Sequence, residues 1–491
     1  MKRLTVPFLF LFTLLMSHCS SPEKPAKELY NGIEPYAGNP HYWQYNGEPV
    51  MLLGGTVEDN LFQIENLEEH LDLLKASGGN YIRNTMSSRD EGNEKPYAMV
   101  DGKYDLDKFN PAYWEKFENM LLLTHQRGII PQIEVWATYD FYSRVVAWAE
   151  NPFNPALNSN YTAAESGLPE VVDHTAQEKL NPFFRTVPAL ANNQTVLEFQ
   201  KKFVDKILSY TLEYDHVLYS MDNETDAHPE WGKFWAGYIR KKANELGKTV
   251  FLTEMWNNWD PTDGGVPGAE TQDSTTHPFL NRSKARNTLE DTVSYDFLDI
   301  GNNNAQDGEM HYKTGLYMRK WVEKTGVIRP INNVKVYGGP EWDQWSISYS
   351  GTFVDGQERF WRNIFAGHAS TRFHRPPHGL GLSAMAQAHL KSSRMLTDET
   401  DFFNHKPHTE LLSGREPNEA FCLAIPGKEY VVLFIRGGEV GLDAPDGDYR
   451  LRWLDIMNSS WSEWSAAGTM TSITPPDTTF YAVQITAGNR D

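Results

Sequence analysis

Asp222, Asn223 and Glu224 follow segment 216–221, His-Val-Leu-Tyr-Ser-Met, a β-branched and aromatic run that reads as a buried strand. A carboxylic acid at the mouth of an apolar strand, with an amide beside it, sits where a general acid for glycoside cleavage is wanted, because a dry surrounding keeps it protonated. Such chemistry takes two carboxyl groups. A gap of about 5–5.5 Å allows direct attack and retention, whereas about 6.5–9.5 Å admits a water and gives inversion. The second group must therefore come from another element, and the organisation of the chain decides which.

From about residue 46 to residue 394, short apolar runs alternate with longer amphipathic ones, the pattern of parallel strands joined by helices. Eight strands are expected, at 50–56, 81–85, 129–136, 216–221, 250–253, 294–300, 334–338 and 364–371. Between them Leu67, Leu71 and Leu74, or Val196, Phe199, Phe203 and Ile207, fall at helical spacing. The expectation is a (β/α)8 TIM barrel over 36–398, followed by a small all-β sandwich domain over 399–491, where runs of alternating residues are separated by Pro-Gly, Gly-Gly and Asp-Gly turns. Two long loops, 140–193 and 257–291, belong on the substrate side of such a barrel.

Residues at strand C-termini converge on one site in this architecture. The first strand offers Thr56 with Glu58, Asp59 and Asn60 beyond it, and the second Arg83 and Asn84. The third gives Glu134 and Trp136, the fourth Asn223 and Glu224, the fifth Glu254 and Trp256, and the sixth Asn302 and Asn303. The seventh runs Val334-Lys335-Val336-Tyr337-Gly338-Gly339-Pro340-Glu341-Trp342, and the eighth leads to His368, Arg372, His374 and Arg375. Glu254 and Glu134 read more simply as capping or ion-paired residues, since two carboxylates suffice. Trp136, Trp256, Trp342 and Trp345 adjoin strand ends and are expected to be sugar-stacking platforms, while Trp231, Trp235 and Trp361 lie at helical spacing and read as core.

On these residues the chain resembles the retaining glycoside hydrolases of clan A. The resemblance implies Glu224 as acid/base and Glu341 as nucleophile, with Arg83 steadying Glu341 and Asn223 holding the sugar hydroxyl next to the anomeric carbon. Substrate contacts are expected from Trp136, Trp256 and Trp342 by their place at strand ends, and His374, in the cluster with His368 and His378, reads as substrate-contacting or structural. The stretch from Tyr45 to Thr56, Leu61-Phe62, and the strand Tyr449-Arg450-Leu451-Arg452-Trp453-Leu454-Asp455 are similar to the apiosidase-like barrel hydrolases of polysaccharide-degrading bacteria, whose C-terminal domain is often labelled as collagen-binding. The expected activity is hydrolysis of O-glycosidic bonds in a polysaccharide or oligosaccharide, by retaining double displacement with two Glu. A glycan-binding surface lipoprotein that has lost catalysis is the alternative, and a lyase or inverting hydrolase pairing Glu224 with Glu254 or an Asp is a third.

A net charge of -20 argues against nucleic acid as partner, because neutralising phosphates takes clustered Lys and Arg. With only Cys19 and Cys422, no disulfide framework or CxxC zinc site can form, and neither His368, His374 and His378 nor Asp222, Asp226, Asp260 and Asp263 have metal-ligand spacing. No metal and no cofactor is expected. Met1-Lys2-Arg3 and the apolar stretch to Met16 read as a secretory signal, and Ser17-His18-Cys19-Ser20-Ser21 resembles a bacterial lipoprotein signal with Cys19 as the acylated residue. The expected layout is a signal peptide over 1–19 and a linker over 20–35, with the protein secreted and held at the outer membrane or cell surface through the lipid alone.

Overall fold

The structure is a computed structural model, and it describes Met1 and residues 32–141, 147–172, 181–257, 286–301, 308–478 and 480–488. The expected lipidation site Cys19, residues Asn302 and Asn303, and most of the 257–291 loop lie outside the described residues. Among the described residues no helix is long and apolar enough to cross a membrane.

Eight parallel strands form the barrel: β1 (Leu52–Gly55), β2 (Tyr81–Thr85), β3 (Ile130–Trp136), β4 (Leu218–Asp222), β5 (Phe251–Thr253), β6 (Leu298–Asp299), β7 (Ile331–Asn332) and β8 (Ser370–Phe373). One continuous ladder runs β5-β4-β3-β2-β1-β8, and β6 pairs with β7. Two seams close the ring. Asp296 donates its N–H to the Leu252 carbonyl between β5 and β6, and Val336 donates to Arg372 while His374 donates to Val336 between the β7 extension and β8. Nearly every barrel-strand residue is buried, which is why these strands appear in the sequence as continuous apolar runs instead of alternating ones.

Among the described residues seven long helices surround the ring: α1 (Leu67–Ala76), α2 (Pro111–Arg127), α3 (Gln194–Thr211), α4 (Pro229–Glu245), α5 (Gly308–Lys324), α6 (Phe353–Phe365) and α7 (Ala384–Glu399). Several have sequence-coded ends. The Asn110 side chain caps α2 ahead of Pro111, with Gly128 closing it in the left-handed conformation, and Asn193 caps α3.

Three strands depart furthest from the sequence expectation, the others by at most one or two residues at their ends. The eighth strand, expected over 364–371, begins at Ser370, because Ile364 and Phe365 are the last turn of α6. That helix is buried on all sides from Gly356 to Phe365, so its end carries the apolar run of a strand. The seventh strand pairs at Ile331–Asn332, with Val336 adding a single bridge to Phe373, and the sixth shrinks to two residues.

Beyond α7 the chain forms two antiparallel sheets. The larger contains β9 (Ala420–Ile425), β10 (Glu429–Phe434), β11 (Tyr449–Asp455) and β12 (Tyr481–Ala487), in the order β9-β10-β12-β11, and a three-stranded sheet accompanies it. Cys422, Val432, Phe434, Val440, Ile473 and Val483 fill its own core. The β-domain meets the barrel through buried polar contacts: Arg362 of α6 donates to Asn418 at 2.8 Å and pairs with Glu358, and Ser392 of α7 donates to the Ile456 carbonyl at 2.6 Å.

Candidate active site

The C-terminal ends of the strands open into a cavity of about 620 Å³, lined among others by Asp59, Arg83, Arg89, Asp90, Asn223, Glu224, Lys335, Tyr337, Trp345 and His374. Glu224 enters it from β4 through backbone that a side-chain-bearing residue rarely adopts, with φ at +59°. Hydrogen bonds on both sides hold that turn. Asn223 donates its N–H to the Trp136 carbonyl at 3.1 Å and accepts from the Thr138 hydroxyl, while Thr225 donates to Met255 at 2.8 Å. The turn therefore extends the ladder from β3 through β4 to β5.

Arg83 lies beneath the site, fully buried on β2. Its guanidinium donates to Glu134 at 2.5 Å, to Asp59, and to the Asn223 amide oxygen at 2.8 Å. Asp59 faces Arg83, Arg89, Arg375 and His374; although burial opposes its charge, Arg83 and then the other cations hold its carboxyl well below the usual range. His374, stacked on Tyr337 with ring centroids 4.1 Å apart, is driven strongly toward its neutral form by burial.

Lys335 reaches the same point from the β7 extension. Its ammonium donates to Asn223 Oδ1 at 2.6 Å and forms an ion pair with Glu224, with 1% of its side chain exposed. Burial lowers its pKa first and the Arg83 charge adds to that, while the Glu224 and Glu134 charges act the other way. The Asn223 amide oxygen thus accepts from two cations, Arg83 and Lys335. Sequence reasoning passed over Lys335. Its signal was the alternation Val334-Lys335-Val336-Tyr337, which turns the two valines one way and Lys335 and Tyr337 the other.

Glu341, expected as the nucleophile, is exposed, lies outside the cavity lining, and is not among the partners of Arg83. Between Tyr337 and Glu341 stands Gly338, at φ +151° with the Thr352 carbonyl 2.4 Å from where a Cβ would stand, a position restricted to glycine.

The tryptophan expectations divide. Trp136 is buried among Phe183, Phe203, Trp231 and Trp235, because the excursion after β3 folds back over it, and Trp256 is buried with its indole donating to Thr288. Trp342, at 74% exposed, stands outside the cavity. Trp345 does line it, 46% exposed and stacked on Tyr349 at 5.1 Å. Trp231, Trp235 and Trp361 are core. His374 and His378 reach the cavity, whereas His368 is buried elsewhere.

Behind Glu224, the buried carboxyls of Asp222 and Glu254 face each other. Glu254 accepts the backbone N–H groups of Asp222 and Met255, and Asp222 accepts from the Trp231 indole. Burial raises both pKa values, Asp222 to about 7, and the Asp222 charge pushes Glu254 further up. The Asp222 carboxyl ionises near pH 3.9 in an unfolded chain. Its contribution to stability is therefore complete below about pH 4 and is lost as pH rises through about 7. The melting temperature should consequently fall between about pH 4 and pH 7, and Asp222→Asn, which keeps an oxygen for Trp231, should flatten that fall. An equally steep fall in the variant would remove the pair as its cause.

No protein-family model matches the chain, and no curated protein matches it. Solved structures do. One described as a glycoside hydrolase superposes with a TM-score of 0.59 at 12% identity, over 94% of this chain and 98% of that one. A glycoside hydrolase family 5 protein from Bacteroides vulgatus ATCC 8482 gives 0.60 at 13% identity, over 94% and 93%. The likeness is one of fold. It extends over both the (β/α)8 barrel and the β-domain, so the pairing of the two is shared with these structures.

Proposed function

We propose that this barrel is a glycoside hydrolase whose chemistry centres on Glu224. The observation that carries the reading is that Glu224, its neighbour Asn223 and the stacked Trp345–Tyr349 pair line one cavity at the strand ends. A carboxylate, an amide for a hydroxyl and an aromatic face are what a bound sugar ring uses. The fold shared with structures described as glycoside hydrolases adds support, as do the stretches similar to apiosidase-like hydrolases, which suggest a polysaccharide or an oligosaccharide derived from one. The lipoprotein-like segment around Cys19 would tether the barrel at a cell surface.

Double displacement between Glu224 and Glu341 gains no support from an exposed Glu341. Of the other carboxylates lining the cavity, Asp59 is taken up by its cations, which leaves Asp90, 3.9 Å from Arg89, as the freer candidate for the second role. A glycan-binding barrel without turnover is the second reading, and the Lys335–Glu224 ion pair, which engages the carboxyl within the cavity, favours it.

A panel of plant, algal and host glycans, assayed for both binding and release of sugars, separates the two. Hydrolysis abolished in Glu224→Gln supports the first reading; binding with no release in the unaltered protein supports the second. Trp345→Ala bears on either, since losing the stacking face is expected to weaken binding by about 0.5–1.5 kcal/mol, roughly two- to twelvefold in Kd. Unchanged affinity by calorimetry would remove Trp345 from the sugar site.

A further inference from the structure

We propose that His378 reads the bound sugar, its Nε2 accepting a hydrogen bond from a hydroxyl of the ring that stacks on Trp345. The inference rests on the glycan reading of the cavity, with or without turnover, and assigns a specificity residue to it.

Position comes first. His378 lies five residues beyond β8, where its carbonyl accepts from the Gly338 N–H at 3.0 Å, and its ring meets Trp345 edge to face with centroids 4.6 Å apart. Both rings line the cavity that holds Glu224.

The hydrogen-bond inventory then decides which ring nitrogen can serve. His378 Nδ1 stands 2.8 Å from the Asp343 carboxylate and 2.8 Å from the Ser346 hydroxyl, and that hydroxyl gives its own proton to Asp343 at 2.6 Å. Both neighbours of Nδ1 therefore accept. The Ser346 bond first, and His378 after it, hold the Asp343 carboxyl below its usual range, so it has no proton to return. Nδ1 carries the hydrogen, and in the neutral ring Nε2 is left as an acceptor. No group among the described residues fills it, and Nε2 is open to solvent. An acceptor of fixed direction beside an aromatic face selects a hydroxyl at that place over a carboxylate or a carbonyl, which have no hydrogen to donate.

A purely structural role, tying the segment after β7 to the one after β8, would need only Nδ1, and that difference supplies the test. Asn in place of His378 sets an amide nitrogen near the position of Nδ1 and removes Nε2, whereas Gln can reach the position of Nε2 with an amide oxygen and gives up the contact with Asp343. The probe is the oligosaccharide that the unaltered protein binds most tightly in the glycan panel. By calorimetry His378→Asn should bind it about two- to twelvefold more weakly, the loss of one hydrogen bond, with His378→Gln close to the unaltered protein. Equal affinities in the two variants, or the reverse order, overturn the proposal.

A second measurement needs no sugar, so failure of the glycan reading stays distinct from failure of this one. Nitrogen-15 NMR of protein labelled at histidine, with the pH raised until the ring nitrogens stop shifting, should find the His378 hydrogen on Nδ1, and His378→Asn identifies the signal. A hydrogen on Nε2 overturns this assignment alone, whereas no binding by any glycan of the panel removes the glycan reading and this assignment with it.

Discussion

Replacing Glu224 by Gln is expected to reduce glycan hydrolysis by about 10²–10⁴-fold while leaving the fold and glycan binding in place. The magnitude is that of losing one positioned proton-transfer group, and a larger loss is expected if the carboxylate also bonds to carbon. The fold should survive because Gln keeps an oxygen to accept from Lys335 and carries the same bulk through the strained turn. Initial rates and sugar binding measured on the same preparation provide the test. Full activity in the variant would move the chemistry to another carboxylate, with Asp90 first in line.

Removing the charge of Arg83 should have the largest effect on stability of any single change at this site. Arg83→Met leaves Asp59 and Glu134 buried without their shared cation, and breaking a buried pair on one side costs about 3–5 kcal/mol. The penalty comes from desolvated carboxylates that have lost their partner, so it should shrink as pH falls and they protonate. Denaturant unfolding at pH 7 and pH 4.5 reads both parts. A loss below about 1 kcal/mol at pH 7 would mean that Arg89 and Arg375 compensate fully.

The barrel was legible because its strands are buried on both faces and its helices on one, which writes two different apolar rhythms into the chain. β2 falls at the expected 81–85, and β3 within one residue of its expected start. The eighth strand was misplaced for a physical reason, since a helix buried all round carries the same signal as a strand.

At the site, proximity to a strand end was a good guide where the ladder continues past the strand, as at Asn223 and Glu224, and a poor one where the chain leaves the ring, as at Glu341. The φ of Gly338, just before that stretch, cannot be read from its letter. Trp136 sits at a strand end too, yet a loop of some fifty residues returns to bury it, and such long-range packing leaves no local trace. The identity of Lys335 was visible, but its function shows only once the ring closes and brings it to Glu224 from 111 positions away.

The burial of α6 has a mechanical consequence. The helix has the barrel on one side and the β-domain on the other, tied across by Arg362, Glu358 and Asn418, so separating the two would unpair buried charged groups. The domain is a brace. It backs the helix whose Arg359 donates to the Tyr337 and Ser350 carbonyls, so the β-domain indirectly supports the backbone that carries Tyr337 into the cavity.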